Sequence, residues 1–212
     1  MASTDRAPSL AERRKQELRA EIVDAAFAEF SERGYHDTGI AHIAERLGIG
    51  HGTFYRYFEN KRDILDHVMT GLIERTMSAL AADNAPDAAT SLEEYRAQTE
   101  RIAEALTRIL DEDPRVLRML LLESTSIDAE LTERVLGVFA TAEQMTAAYF
   151  ENGVARGYLR EDLDVDATAT AVVGAMLGAM VRALREPGDT EQHLRVSGAV
   201  LRMMLEGIVA ER

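Results

Sequence analysis

Between Thr38 and Lys61 the chain carries two short apolar periodicities around a glycine, and no other stretch restricts the fold as much. Ile40, Ile43, Ala44 and Leu47 recur at helical spacing and form one apolar stripe. Gly48 ends that helix, because glycine enters the left-handed region at the least steric cost. Ile49 plugs the corner, and a second helix is expected from about His51 to Phe58. Two helices packed around such a turn form a helix-turn-helix, whose second helix enters the major groove of DNA.

The rest of the chain reads as all-α. Strand alternation persists nowhere, and four prolines leave long helical periodicities intact, so about nine helices are expected. Ser9-Leu10-Ala11-Glu12 has the form of a capping box, which starts a first helix near Leu10 and runs it to Arg33, with Gly34 at its end. A fourth helix spans about 60–82 and stops in Ala82-Asp83-Asn84-Ala85-Pro86. Later helices are expected at about 91–110, from Pro114, at about 128–155, from Asp164 to Arg185, and at about 190–209. In the helix after Pro114 the run Val116-Leu117 and Met119 to Leu122 is apolar nearly all round, which implies burial. The domains divide at residues 10–62 and 63–212.

On the second helix of the motif, Phe54 and Phe58 stand four apart and share the face turned to the domain core. Gly52, Thr53 and Arg56 then lie on the far side, with Tyr55 flanking and His51 at the entrance. Arg56 suits a bidentate bond to guanine, and Thr53 a thymine methyl or a phosphate. Tyr55, Tyr57 and Lys61 suit phosphates, which set register without carrying sequence. The tyrosines admit a plainer reading as half-buried packing. His36, His42 and His67 read as solvent-exposed polar residues, and Arg13-Arg14-Lys15 as a solvated helix face or a phosphate-touching arm. Gly48-x-Gly50-x-Gly52 follows no strand, so it is not a nucleotide loop.

Ile22, Ala25-Ala26, Phe30, Gly34-Tyr35, Thr38, Ile43-Ala44, Gly48-Ile49, Gly52-Thr53-Phe54-Tyr55, Tyr57-Phe58 and Lys61 together resemble the DNA-binding domain of the TetR (tetracycline-repressor-like) family, over roughly residues 15 to 65. The resemblance implies DNA contacts at His51, Thr53, Tyr55, Arg56, Tyr57 and Lys61, and Thr38, Gly39, Gly50 and Gly52 are counted with them. Gly39 and Gly50 stand where the family usually has a capping serine or threonine. Glycine loses only a few tenths of a kcal/mol there and bares backbone amides that can hold a phosphate. Glu29 stands where a leucine is common, and the sequence offers no account of it.

The resemblance further implies a ligand-responsive transcriptional regulator, a repressor that binds a palindromic operator as a homodimer. Its last two helices would pair with their mates. Small residues including Gly174 and Gly178 allow close approach there, with Val181, Leu201, Met204 and Leu205 in the same interface. The resemblance places an inducer pocket between the fourth and seventh helices, lined by Met77, Tyr95, Leu106, Met119, Phe139, Met145 and Tyr149. Few polar residues fall on those inward faces, which favours a small, largely apolar ligand.

Charge fits this division. Residues 1–62 hold 10 basic and 10 acidic residues, and the remainder holds 14 against 27, which gives the whole net charge of −13. The acid is confined to the part that need not touch DNA. No cysteine is present, which excludes disulfides and thiolate zinc sites and fits a reducing compartment. Residues Met1 to Arg6 have no apolar core for a signal peptide, and Ala167 to Leu184 reads as too short and too weakly apolar for a membrane span, so a cytoplasmic protein is expected. No cofactor, metal or enzymatic activity is expected, because no phosphate loop, Glu-x-x-His pair or nucleophile set stands at recognisable spacing. The remaining rival is a helical ligand- or partner-binding protein without functional DNA binding.

Overall fold

The computed structural model describes residues 9–81 and 84–209 and divides the chain into two compact units, Met1–Leu72 and Ile73–Arg212. The expected helix stop at Ala82-Asp83 and the amino-terminal Met1 to Arg6 lie outside the described residues. Among the described residues the structure is helical, with one isolated antiparallel bridge between Leu159 and Val209.

The first unit contains α1 (Leu10–Arg33), α2 (Ile40–Leu47), α3 (His51–Phe54) and α4 (Lys61–Ala81) as far as Leu72. Ser9 caps α1 by accepting from the Glu12 amide at 3.2 Å, while the Glu12 carboxylate accepts from the Ser9 amide at 2.6 Å. Gly48 ends α2 at φ 66°, the left-handed geometry expected of it. The buried apolar residues include Ile22, Ala25, Ala26, Phe30, Ile43, Ala44, Phe54 and Phe58. Ile64, Leu65, Val68, Met69 and Leu72 of α4 are buried as well, which is why this unit reaches Leu72 rather than ending at residue 62.

Glu29 now has a physical account. It is 3% exposed, and its carboxylate accepts from Arg33 Nε and Arg46 Nε, each at 2.7 Å. Glu32 also accepts from Arg46. The pair therefore ties α1 to the end of α2, a task that a leucine would perform by packing alone. Burial pushes the Glu29 carboxyl up, but the hydrogen bonds and charges of Arg46 and Arg33 outweigh it and hold the group below its ordinary value.

The second unit takes the rest of α4, then α5 (Leu92–Glu112), α6 (Pro114–Arg118), α7 (Ala129–Ala155), α8 (Val165–Arg185) and α9 (Thr190–Ile208). Ser91, Asp113, Asp128, Asp164 and Asp189 cap the starts of α5 to α9 with their side chains. A π-helical turn over Met119–Glu123 and a 3₁₀ turn over Ser124–Ser126 carry the chain from α6 to α7. This corrects the expectation of a uniformly buried helix. Leu117 and Met119 are buried, whereas Leu122 is 51% exposed, because the change of helical register turns it outward. The α4–α5 connection is held by side chains: Tyr149 Oη donates to the Asn84 carbonyl, Gln98 to the Ala85 carbonyl at 2.8 Å, and Asn152 to the Ala89 carbonyl at 2.8 Å. Gly153 allows the chain after α7 to fold back, since a β-carbon there would collide with Leu159 and stand 2.7 Å from the Tyr158 ring.

By length and composition α8 passes as a membrane-crossing helix, at 21 residues with a mean hydropathy of 1.6, contrary to the sequence reading of that segment. It packs against both α7 and α9, yet only 11% of its apolar stretch is buried within this chain.

The Glu29 clamp yields a stability prediction. Glu29→Ala should lower the unfolding free energy by about 1–2 kcal/mol in urea titrations, and Glu29→Leu by less, since the freed arginines can turn to water. A depressed carboxyl pKa stabilises the fold above its ordinary unfolded value and ceases to as pH falls through the folded one. The margin over Glu29→Gln should therefore shrink on acidification, and a margin independent of pH would overturn the assignment.

Candidate functional site

The α-helical part of the second motif helix is four residues long, not the eight expected. Beyond Phe54 the backbone tightens: Arg56 and Tyr57 donate to carbonyls three residues back, Thr53 and Phe54, at 3.2 and 2.9 Å, and Phe58 returns to the Phe54 carbonyl at 3.1 Å. A helix this short has negligible stability of its own, so tertiary packing must hold it. Phe54 and Phe58 are 0% and 2% exposed, with ring centroids 5.7 Å apart. Burying each contributes roughly 1.5–3 kcal/mol. His67 meets the Phe58 ring edge-on at 5.2 Å, and the Arg19 guanidinium lies 5.1 Å from its centroid. His67 is half-buried, packing its ring on Phe58 while its Nδ1 stands 2.9 Å from the Asp63 carbonyl.

With the phenylalanines inward, His51, Gly52, Tyr55 and Arg56 are exposed, and Thr53 and Tyr57 are half-buried. Tyr55 is 56% exposed, its ring edge-on to Phe54 at 5.6 Å, which sets aside the packing alternative for it. The structure therefore brings these six expected residues to one short segment. Three other residues expected at the DNA are committed elsewhere. Thr38 is 1% exposed, and its hydroxyl lies 2.8 Å from the Gly34 carbonyl and 3.1 Å from the Glu29 carbonyl; it closes the turn between α1 and α2 instead of facing outward. The Gly39 amide donates to His42 Nδ1 at 3.1 Å, while the first-turn amides of α2 have no side-chain cap, as glycine at this position implies. Lys61 Nζ donates to the Tyr35 carbonyl at 2.7 Å and the His36 carbonyl at 3.2 Å and lies 4.4 Å from the Tyr35 ring centroid. One of its three donors is left for a phosphate. Gly50 is exposed, as expected. Arg13, Arg14 and Lys15 lie on the exposed face of α1.

The second unit contains a cavity of about 230 Å³ whose walls come from α4 to α9 and the π turn. Six of the expected residues line it, namely Met77, Tyr95, Leu106, Phe139, Met145 and Tyr149. Met119 does not: it is buried at 1% exposure away from the cavity, and its neighbours Leu117, Leu120 and Leu121 line the wall. The sequence reading also missed the contribution of α8, where Val172, Val173, Met176, Leu177 and Met180 face inward. On the other side of α8, Gly174, Gly178 and Val181 are exposed. Of the α9 residues expected at a dimer interface, Met204 is buried within its own unit and Leu201 and Leu205 pack against the same core, whereas Leu194 and Met203 are 50% and 65% exposed.

A profile of bacterial regulatory proteins of the tetR family matches residues 22–68, and a tetracyclin repressor-like C-terminal domain profile matches residues 116–197. The chain belongs to the TetR family. It is 28% identical over 198 residues to the HTH-type transcriptional regulator TtgR of Pseudomonas putida, covering 89% of this chain and 93% of that one. It is 23% identical over 192 residues to the fatty acid metabolism regulator protein of Bacillus subtilis, covering 89% and 94%. SmeT of Stenotrophomonas maltophilia, solved with triclosan, superposes with a TM-score of 0.73 at 25% identity over 92% of this chain and 93% of that one. FadR of Bacillus subtilis, solved with stearoyl-CoA, shares the fold, with a TM-score of 0.74 at 21% identity over 89% and 98%. This TetR-family chain is accordingly a DNA-binding transcriptional regulator with an amino-terminal helix-turn-helix domain.

Proposed function

We propose that this regulator represses transcription in the cytoplasm by occupying a palindromic operator as a homodimer, and that a small, largely apolar molecule in its carboxy-terminal cavity releases it. The observation that carries this reading is the division of cations in the first unit. Arg33, Arg46, Lys61 and Arg62 are engaged with acidic side chains or backbone carbonyls. The exposed side chains of His51 on α3 and Arg56 in the turn just after it make no hydrogen bond or ion pair within the described residues. An uncommitted guanidinium beside a glycine is suited to guanine in the major groove, with the backbone free to approach. Tyr55, Tyr57 and the remaining Lys61 donor suit the flanking phosphates.

A twofold operator needs two copies of α3. The exposed side of α8 presents Ala167, Ala171, Gly174, Gly178 and Val181, and α9 adds Leu194 and Met203 beside it. A groove of about 380 Å³ between these helices, lined in part by Ala171, Ala175, Val200 and Met203, offers a seat for a partner side chain. Small residues let helices approach closely, which supports a four-helix contact between copies. For release, α4 runs from the first unit into the second, where its Thr76, Met77 and Leu80 line the cavity. A ligand shifts the protein from the DNA-competent state only by binding the other state more tightly.

Arg56→Ala should lose about 1–3 kcal/mol of discrimination at one base pair in operator-variant titrations. Lys61→Ala should weaken binding to all sequences alike and reduce the salt slope by about 1; unchanged affinity in both variants would refute the interface. Val181→Glu combined with Met203→Glu should shift the dimer to monomer in sedimentation velocity while helical circular dichroism is retained. A persistent dimer would place the contact on another face.

A further inference from the structure

The cavity wall contains few polar atoms, and most of them are spent. Tyr149 Oη donates to the Asn84 carbonyl, Thr99 Oγ1 to the Arg96 carbonyl at 2.9 Å, and Thr146 Oγ1 to the Ala142 carbonyl at 2.8 Å. Tyr95 is the exception among the aromatic residues. It is 2% exposed and lines the cavity, its ring is held against Tyr158 at 5.6 Å, and its hydroxyl has no hydrogen-bond partner among the described residues. The hydroxyl is not sealed off within the wall, so a guest in the cavity can reach it and complete its hydrogen bonding. Burial, with Tyr158 and Tyr149 close by, raises its pKa, so it stays a protonated phenol and a donor.

No Lys, Arg, His, Asp or Glu among the described residues lines this cavity. A charged guest would lose its water without gaining a counter-charge, which excludes ions from the interior. The volume of about 230 Å³ is greater than the roughly 150 Å³ that accepts benzene, so a substituted ring fits.

We infer that the effector is an uncharged, mainly apolar molecule with one hydrogen-bond acceptor, which it presents to the Tyr95 hydroxyl. Tyr95 is the residue that selects for this acceptor; Thr76 on α4 is the other wall hydroxyl without a hydrogen bond among the described residues, and the remaining wall supplies apolar contact. The inference rests on the proposal that the cavity is the effector site. It specifies a neutral acceptor where apolarity alone would accept a pure hydrocarbon, and it sets aside a carboxylate buried in the cavity.

Three probes of nearly the same shape test it: acetophenone, α-methylstyrene, in which a methylene replaces the carbonyl oxygen, and benzoate. Titration calorimetry on the full chain should show acetophenone binding about 2- to 10-fold tighter than α-methylstyrene, the range expected of one neutral hydrogen bond. Benzoate should not bind. Tyr95→Phe should abolish the preference while leaving α-methylstyrene affinity unchanged, and Tyr149→Phe, whose hydroxyl already has a partner, should keep the preference. The unchanged α-methylstyrene affinity also shows that the Tyr95→Phe variant is folded. A preference that survives Tyr95→Phe, equal binding of the two neutral probes to the unaltered protein, or binding of benzoate would overturn the assignment of Tyr95. Failure of both neutral probes to bind would instead remove the cavity as the effector site, and the inference with it.

Discussion

A helix of one turn has too few internal hydrogen bonds to persist alone, so the face it presents depends on what lies behind it. Here that support is the burial of Phe54 and Phe58 in the first unit. With both rings inward, the helix rotation is set, and His51, Thr53, Tyr55 and Arg56 have no alternative but the outer side. The same core includes Ile43 of α2 and Ile64 and Leu65 of α4, so the elements before and after α3 share its anchorage. The buried Glu29 carboxylate adds a directional tie, joining α1 to Arg46 at the end of α2. Apolar burial supplies most of the energy, and the ion pair adds a polar tie between α1 and α2.

Electrostatics divides the labour among the cations. A basic side chain bound to its own protein costs DNA affinity, because the internal bond must be broken or shared. Lys61 illustrates sharing, with two carbonyls and an aromatic face already around its ammonium group. Arg56 has no such commitment and can make a new bond without losing an old one, as can Arg14 and Lys15 on α1. The acidic remainder of the chain would repel a polyanion, which restricts productive approach to this end.

Helix positions were legible from the sequence because caps and glycines are local signals. Ser9 with Glu12, Gly48, Asp164 and the Pro187-Gly188-Asp189 turn act within a few residues of the boundary they set. Which side chains of the His51–Phe58 segment face outward was legible too, since one four-residue spacing of phenylalanines decides it. What escaped was every role fixed by a distant neighbour. Thr38 is drawn inward by carbonyls of α1 and the turn after it, and the His42 ring reaches back to accept from the Gly39 amide. Glu29 makes sense only once Arg46, 17 residues away, is beside it. In the second unit α8 and α9 each carry apolar residues on two sides, and periodicity cannot say which side meets the core. That ambiguity leaves Met176 and Met180 unassigned from sequence, and Met204 borders both the cavity and the groove between α8 and α9. The π turn at Met119–Glu123 shifted the register by which Met119 had been aimed at the cavity.

Among the wall residues of the cavity are Met77, Met145, Met176, Met180 and Met204. Unbranched thioethers rotate among conformers of similar energy, and they fill irregular space without requiring the backbone to move. A container with such a pliable lining has no single negative image, so guests of unlike outline can each be enclosed at small cost. Evolution could then exchange one signal molecule for another through rotamers first and substitutions later, without redesigning the scaffold around them.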